Sequence, residues 1–148
     1  MILQRHGLPR FIALLVSLVV ITAGVAACGP QVHLTSPVGV WRAAPPQTGV
    51  LQINEDGTFT ITDSSFDLGS RQKTARNYSA EGRWDSSIET GEVYLAIHHD
   101  YRGDLEMGGT GGYSREFADG RIVFESEDLS ITFVYDPSAS PTPSGSVR

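Results

Sequence analysis

Leu51-Gln52-Ile53-Asn54-Glu55-Asp56-Gly57-Thr58-Phe59-Thr60-Ile61-Thr62 carries the fold in miniature. Leu51 and Ile53 alternate with Gln52 and Asn54, and Phe59 and Ile61 alternate with Thr58, Thr60 and Thr62. Successive side chains on a strand point to opposite faces, so each run has one apolar face and one wet face. Asp56-Gly57 lies between the runs, and the glycine supplies the positive φ that a tight hairpin turn needs. Two strands and a turn of this kind predict an antiparallel hairpin.

The same period of two extends in both directions. Val93, Leu95 and Ile97 share one face of a later run, Asp119-Gly120 marks a second turn, and Ile122 and Phe124 follow it. Leu129, Ile131, Phe133 and Tyr135 end the pattern. No long stretch repeats with the 3.6-residue period of a helix. About eight strands are expected, near 38–43, 48–54, 58–63, 77–84, 92–99, 113–118, 121–126 and 129–135, with 64–77 as a long loop. Residues 38–135 thus form one all-β domain, either a small antiparallel up-and-down barrel or a β-sandwich. Closing eight strands on themselves removes the raw sheet edges that invite aggregation.

A faint internal repeat supports two related halves. Gly39-Val40-Trp41 precedes Thr48-Gly49-Val50-Leu51-Gln52-Ile53, and Gly82-Arg83-Trp84 precedes Thr90-Gly91-Glu92-Val93-Tyr94-Leu95. Trp84-Asp85 matches the dipeptide of a propeller blade, but two copies cannot make a propeller. Gly-x-Trp on an opening strand, followed by meandering hairpins, resembles the lipocalin-like barrels, in which the tryptophan packs across the closed end. That resemblance, resting on Gly39, Trp41, Gly82 and Trp84, implies a barrel and a small hydrophobic ligand inside it.

The ends of the chain carry different information. Arg5, His6 and Arg10 precede a 13-residue apolar run, Phe11–Ala23, broken only by Ser17 and Thr22. As a helix the run spans about 20 Å, short of the roughly 30 Å hydrocarbon core and suited to the apolar region of a secretory signal. Extended to Ala27 it holds 17 residues, so length alone leaves an uncleaved anchor open. Val25-Ala26-Ala27-Cys28 resembles the bacterial lipobox, whose cysteine accepts a diacylglyceryl group. The resemblance implies a signal peptide over 1–27 that forms the N-terminal helix, lipidation of Cys28, palmitate-type acyl chains and attachment to the extracytoplasmic face of the cell membrane. Two or three acyl chains anchor far better than one. The alternative is an ordinary signal or membrane helix with an incidental thiol. Cys28 is the only cysteine, which excludes a disulfide framework and a multi-cysteine zinc site. Residues 28–37 read as a lipidated spacer, and the Ser/Thr/Pro-rich segment 136–148 as a disordered tail. Lys73 is the single lysine among 11 basic residues, and by association this usage leads us to expect a GC-rich, actinobacterial source.

Charge narrows the partners. Without Arg5 and Arg10, nine basic residues face 17 acidic ones, a net of −8 that repels nucleic-acid backbones. Candidate chemistry is sparse. His98-His99-Asp100 sits at a strand end, where neighbouring side chains diverge: His99 continues the face of Val93, Leu95 and Ile97, and His98 points away. His33 lies in the spacer. Gly108-Gly109-Thr110-Gly111-Gly112 lacks the lysine and helix of a phosphate loop and reads as a mobile loop. Asp100, Asp104 and Glu106 precede it at spacings unlike an EF-hand. No serine has a recognisable His/Asp partner. Arg71, Lys73 and Arg76 make a small basic patch suited to anionic lipid heads, a partner or plain solvent. Trp41 and Trp84 read as core rather than a sugar platform. The expectation is a non-enzymatic envelope binding or accessory lipoprotein with no cofactor and no metal. Its alternative is a carrier of a small hydrophobic ligand in the barrel.

Overall fold

A computed structural model describes residues 33–87, 89–109, 111–127 and 129–141. The signal helix expected over 1–27, Cys28, the start of the spacer and residues 142–148 of the tail lie outside the described residues. The remainder is all β. Nine strands follow in chain order: β1 (Gly39–Ala43), β2 (Val50–Ile53), β3 (Thr58–Asp67), β4 (Gln72–Ser87), β5 (Glu92–Arg102), β6 (Leu105–Glu106), β7 (Gly111–Glu116), β8 (Arg121–Glu125) and β9 (Ser130–Tyr135). All pairings are antiparallel and belong to one sheet, in the order β6-β5-β4-β3-β2-β1-β9-β8, with β7 on β5 beside β6.

This is an up-and-down meander, because almost every strand pairs with its sequence neighbour. Two pairings depart from this: β7 lies on β5, past the two-residue β6, and the first strand joins the last, with Trp41 opposite Tyr135 and Ala43 opposite Phe133. The sheet curls until β7 and β8 stand side by side, linked by the turn at Asp119-Gly120, where Gly120 has φ +76°. Across that seam the described residues show side-chain packing but no backbone ladder. Tyr113 and Phe124 meet edge to face at 6.2 Å, and the Arg115 guanidinium stands 5.3 Å from the Phe124 ring centre. The fold is thus a curled half-barrel sheet rather than two stacked sheets.

The two-residue alternation has the consequence expected of it. Leu51, Ile53, Phe59, Ile61, Val93, Leu95, Ile122, Phe124, Ile131 and Phe133 all point inward and are buried. The Asp56-Gly57 turn forms as the sequence demands, with Gly57 at φ +83° and the Asp56 carboxylate accepting the Thr58 amide at 2.9 Å. Both halves of the repeat use glycine for close approach. A methyl group on Gly82 would lie 1.9 Å from the Ala96 carbonyl oxygen, and one on Gly39 would strike the Tyr135 ring at 2.5 Å.

The segment 64–77 corrects the expectation of a long loop. β3 and β4 continue through it and turn only at 68–71. Register shifts between Ile61 and Ser64, and between Ser64 and Phe66, mark bulges. Asp63 (φ 52°) and Arg76 (φ 65°) take left-handed backbone conformations there. Bulges insert unpaired residues and break the alternation, so the segment looks irregular in sequence although it is strand in structure.

Chain direction gives the sheet two distinct ends. The β1–β2, β3–β4, β5–β7 and β8–β9 connections share one end, called here the loop end. The other, terminal end carries the β2–β3, β4–β5 and β7–β8 turns, the entry to β1 and the exit from β9. Leu34 hydrogen-bonds the Ala118 carbonyl there at 2.9 Å, and Asp136 the Val40 carbonyl at 2.8 Å. Ordered contacts therefore run beyond Tyr135: the Asp136 carboxylate also accepts from Arg42 at 2.7 Å and from the Ser138 hydroxyl at 2.6 Å. The Ser138 and Arg42 hydrogen bonds lower the Asp136 carboxyl to about 2.

Candidate functional site

At the terminal end polar groups satisfy one another and aromatic rings pack behind an open cleft of about 700 Å³ bounded by Val38, Asn54, Asp56, Tyr135 and Pro137, among other residues. Trp41 is fully buried, meets Tyr135 edge to face at 5.2 Å, and donates its indole N–H to the Pro37 carbonyl at 2.9 Å. Trp84 is half-buried and donates to the Asn54 carbonyl at 2.7 Å. Asn54 is itself held by Gln52 and Thr58. Both tryptophans therefore pack against the core.

The loop end is chemically different, and the β3–β4 hairpin contributes to two clefts in it. One cleft, of about 230 Å³, is lined by Asp67, Asp100, Ile97, Met107, Tyr113 and three glycines, among other residues. Asp67 and Asp100 are each only 1% exposed. Asp67 binds the Arg102 guanidinium and accepts the Ser70 amide at 2.9 Å. Burial works to raise its carboxyl, but the Ser70 and Arg102 hydrogen bonds outweigh burial and hold it below the ordinary carboxylate range. Asp100 accepts the Gly109 amide at 2.8 Å, and its main-chain carbonyl accepts the Met107 amide at 2.9 Å. A methyl group on either Gly69 or Gly109 would come within 2.8 Å of Asp100 Oδ2. The glycines therefore let two backbone segments close around this carboxylate.

Tyr78 lies fully buried in the same region. Among the described residues its hydroxyl finds no well-formed hydrogen-bond partner, although the Gly69 backbone lies close enough to lower its ionisation slightly. Burial, and then the negative Asp100 and Asp67, push its ionisation well above the usual tyrosine value. Tyr113 bonds the Leu68 carbonyl at 2.7 Å and braces the hairpin tip against β7.

The second cleft is a groove of about 380 Å³ bounded by Pro46, Phe66, Lys73, Arg76 and Leu129, with polar residues between them. Its walls are fixed internally. Gln47 donates to the Ser130 carbonyl at 2.7 Å, and Thr74 to the Ser64 carbonyl at 2.8 Å.

The residues singled out in the sequence distribute unevenly over these features. His98 and His99 are both exposed, and Asp100 alone turns inward. This corrects the expectation that His99 continues the inner face. His99 pairs with Glu81 and Ile97 with Gly82, so His98 is an extra residue that shifts the alternation by one. His99 instead meets Glu106 at 3.2 Å on the surface. His33, Asp104 and Arg71 are exposed and stand apart from the clefts' inner residues. Among the described residues no three His, Cys, Asp or Glu side chains converge as metal ligands. The glycine run divides: Gly109 anchors to Asp100, whereas Gly111 and Gly112 open β7. Asp67 and Tyr78 were not anticipated. A buried acid within a polar stretch carries no local mark of its burial, and only the hairpin register shows it.

The interior between the ends is occupied by interlocked side chains of Trp41, Phe59, Leu95, Phe117, Phe124 and Phe133. No protein-family model, curated protein or solved structure matches the chain.

Proposed function

We propose that this chain is a bacterial envelope lipoprotein, cleaved before Cys28, lipidated there, and displaying its β unit outside the membrane as a non-enzymatic binding or accessory module. Val25-Ala26-Ala27-Cys28 after a 13-residue apolar run carries the proposal. A lone thiol in an oxidising compartment is otherwise an unpaired liability, and acylation removes it. Two features of the β unit support the assignment. Its described chain enters and leaves at one end, and we assign the hairpins of the loop end to meeting partners. Its interior is filled, so the alternative of a hydrophobic guest inside the barrel requires displacement of those side chains.

Intact mass of protein purified from its own host tests the assignment. The expected mass is that of residues 28–148 plus diacylglycerol, and a Cys28→Ala variant loses the addition. An unacylated species cut elsewhere refutes the anchor.

A further inference from the structure

The loop-end groove differs from the other clefts among the described residues. Lys73 and Arg76 stand at it, both exposed, and neither forms an ion pair or side-chain hydrogen bond among the described residues. The floor beneath them is apolar, from buried Phe66 with Pro46 and Leu129 at the rim. Two free cations over an apolar trough are complementary to an amphiphile with an anionic head. Arg76 carries a second signal. It sits at φ 65° within the β4 bulge, a conformation that costs a non-glycine residue energy, and bulges re-aim side chains. The strained position thus bears one of the two charges at the groove.

We infer that this groove binds a single-chain amphiphile with a carboxylate head, its carboxylate held by Lys73 and Arg76 and its chain laid along Phe66, Pro46 and Leu129. Concavity favours an inserted chain over a flat bilayer surface, and the volume lies within the range of small-molecule sites. Position favours it as well, because the groove lies at the end opposite the chain's entry and exit. The inference goes beyond the lipoprotein assignment and is independent of acylation at Cys28.

The test uses the full chain in phosphatidylcholine vesicles with octanoate bearing a diazirine on its chain, and with the methyl ester as control. Photolabelling by the acid should concentrate on peptides containing Phe66 and Leu129, and the ester should label neither. Lys73→Gln combined with Arg76→Gly should reduce labelling at least about tenfold, the scale of losing a single charged hydrogen bond. Arg76→Gly removes the left-handed strain, so its thermal midpoint should not fall, and Lys73→Gln alone supplies a second variant at a surface site. Equal labelling by acid and ester, or labelling unchanged in the variants, overturns the inference. It is equally overturned if vesicles containing phosphatidylglycerol abolish labelling and protect residues 65–76 from hydrogen exchange, since the occupant is then the bilayer.

Discussion

The two ends of the β unit are built from the same hairpins but held by different forces. At the terminal end Trp41 and Tyr135 pack ring against ring, and their neighbours' polar groups are paired locally. At the loop end two carboxylates are buried, one matched by Arg102 and the other by a glycine amide. Apolar burial is indifferent to pH, whereas buried charge depends on its partners and its protonation. One end should therefore respond mainly to lost volume and the other to lost charge.

The largest expected effect tests the first half of that contrast. Trp41→Ala should cost about 3–5 kcal/mol in chemical denaturation, because a fully buried indole leaves a cavity. Its effect should be nearly the same at pH 5 and pH 7. Arg102→Met comes next, at about 2 kcal/mol, since it strips a buried carboxylate of its cation while the half-exposed site admits water. Acid titration sharpens the difference. The folded carboxyl of Asp67 is lowered, so its stabilisation is full above the unfolded value and disappears as pH falls through the folded one. Wild-type stability should therefore decline below about pH 4, and Asp67→Asn should flatten that slope. An unchanged slope in the variant would assign the acid sensitivity elsewhere.

Smaller substitutions probe each end in isolation. Tyr78→Phe removes a buried hydroxyl that lacks a well-formed partner among the described residues, and should raise the unfolding free energy by about 0.5–1 kcal/mol. A loss instead would reveal a bound water bridging it to the acids. Asp136→Asn, at the terminal end, breaks a pair whose arginine is largely exposed, and the denaturation midpoint should stay where it is.

The sequence made the strands legible wherever alternation was unbroken. Each of the eight expected strands exists, and the Asp56-Gly57 and Asp119-Gly120 turns fall where glycine's conformational freedom places them. Legibility failed at bulges. One additional residue at His98 reversed the faces of His99 and Asp100, and the bulges after Asp63 and before Tyr78 disguised two strand ends as a loop. Register belongs to a pair of strands, so a single run of residues cannot reveal where it slips. The clefts were hidden for a related reason. Lys73 and Arg76 were visible as a basic patch, but the groove's apolar rim comes from Pro46 and Leu129, far away along the chain. Asp67 and Asp100 look like solvent-facing acids until the hairpin tip folds over them.

The join between the first and last strands also defines how the unit meets mechanical load. β1 and β9 are antiparallel neighbours whose outer ends emerge together, and the outermost rung is the Asp136 amide on the Val40 carbonyl. A pull between a membrane attachment before β1 and anything fastened beyond β9 would load these bonds one at a time, as a zipper opens, rather than in shear across the whole ladder. The Arg42–Asp136 clasp and the Tyr135 ring seated on Gly39 would yield first. Under such a pull the β unit would open rung by rung from this end, with the hairpins of its loop end lying outside the line of force.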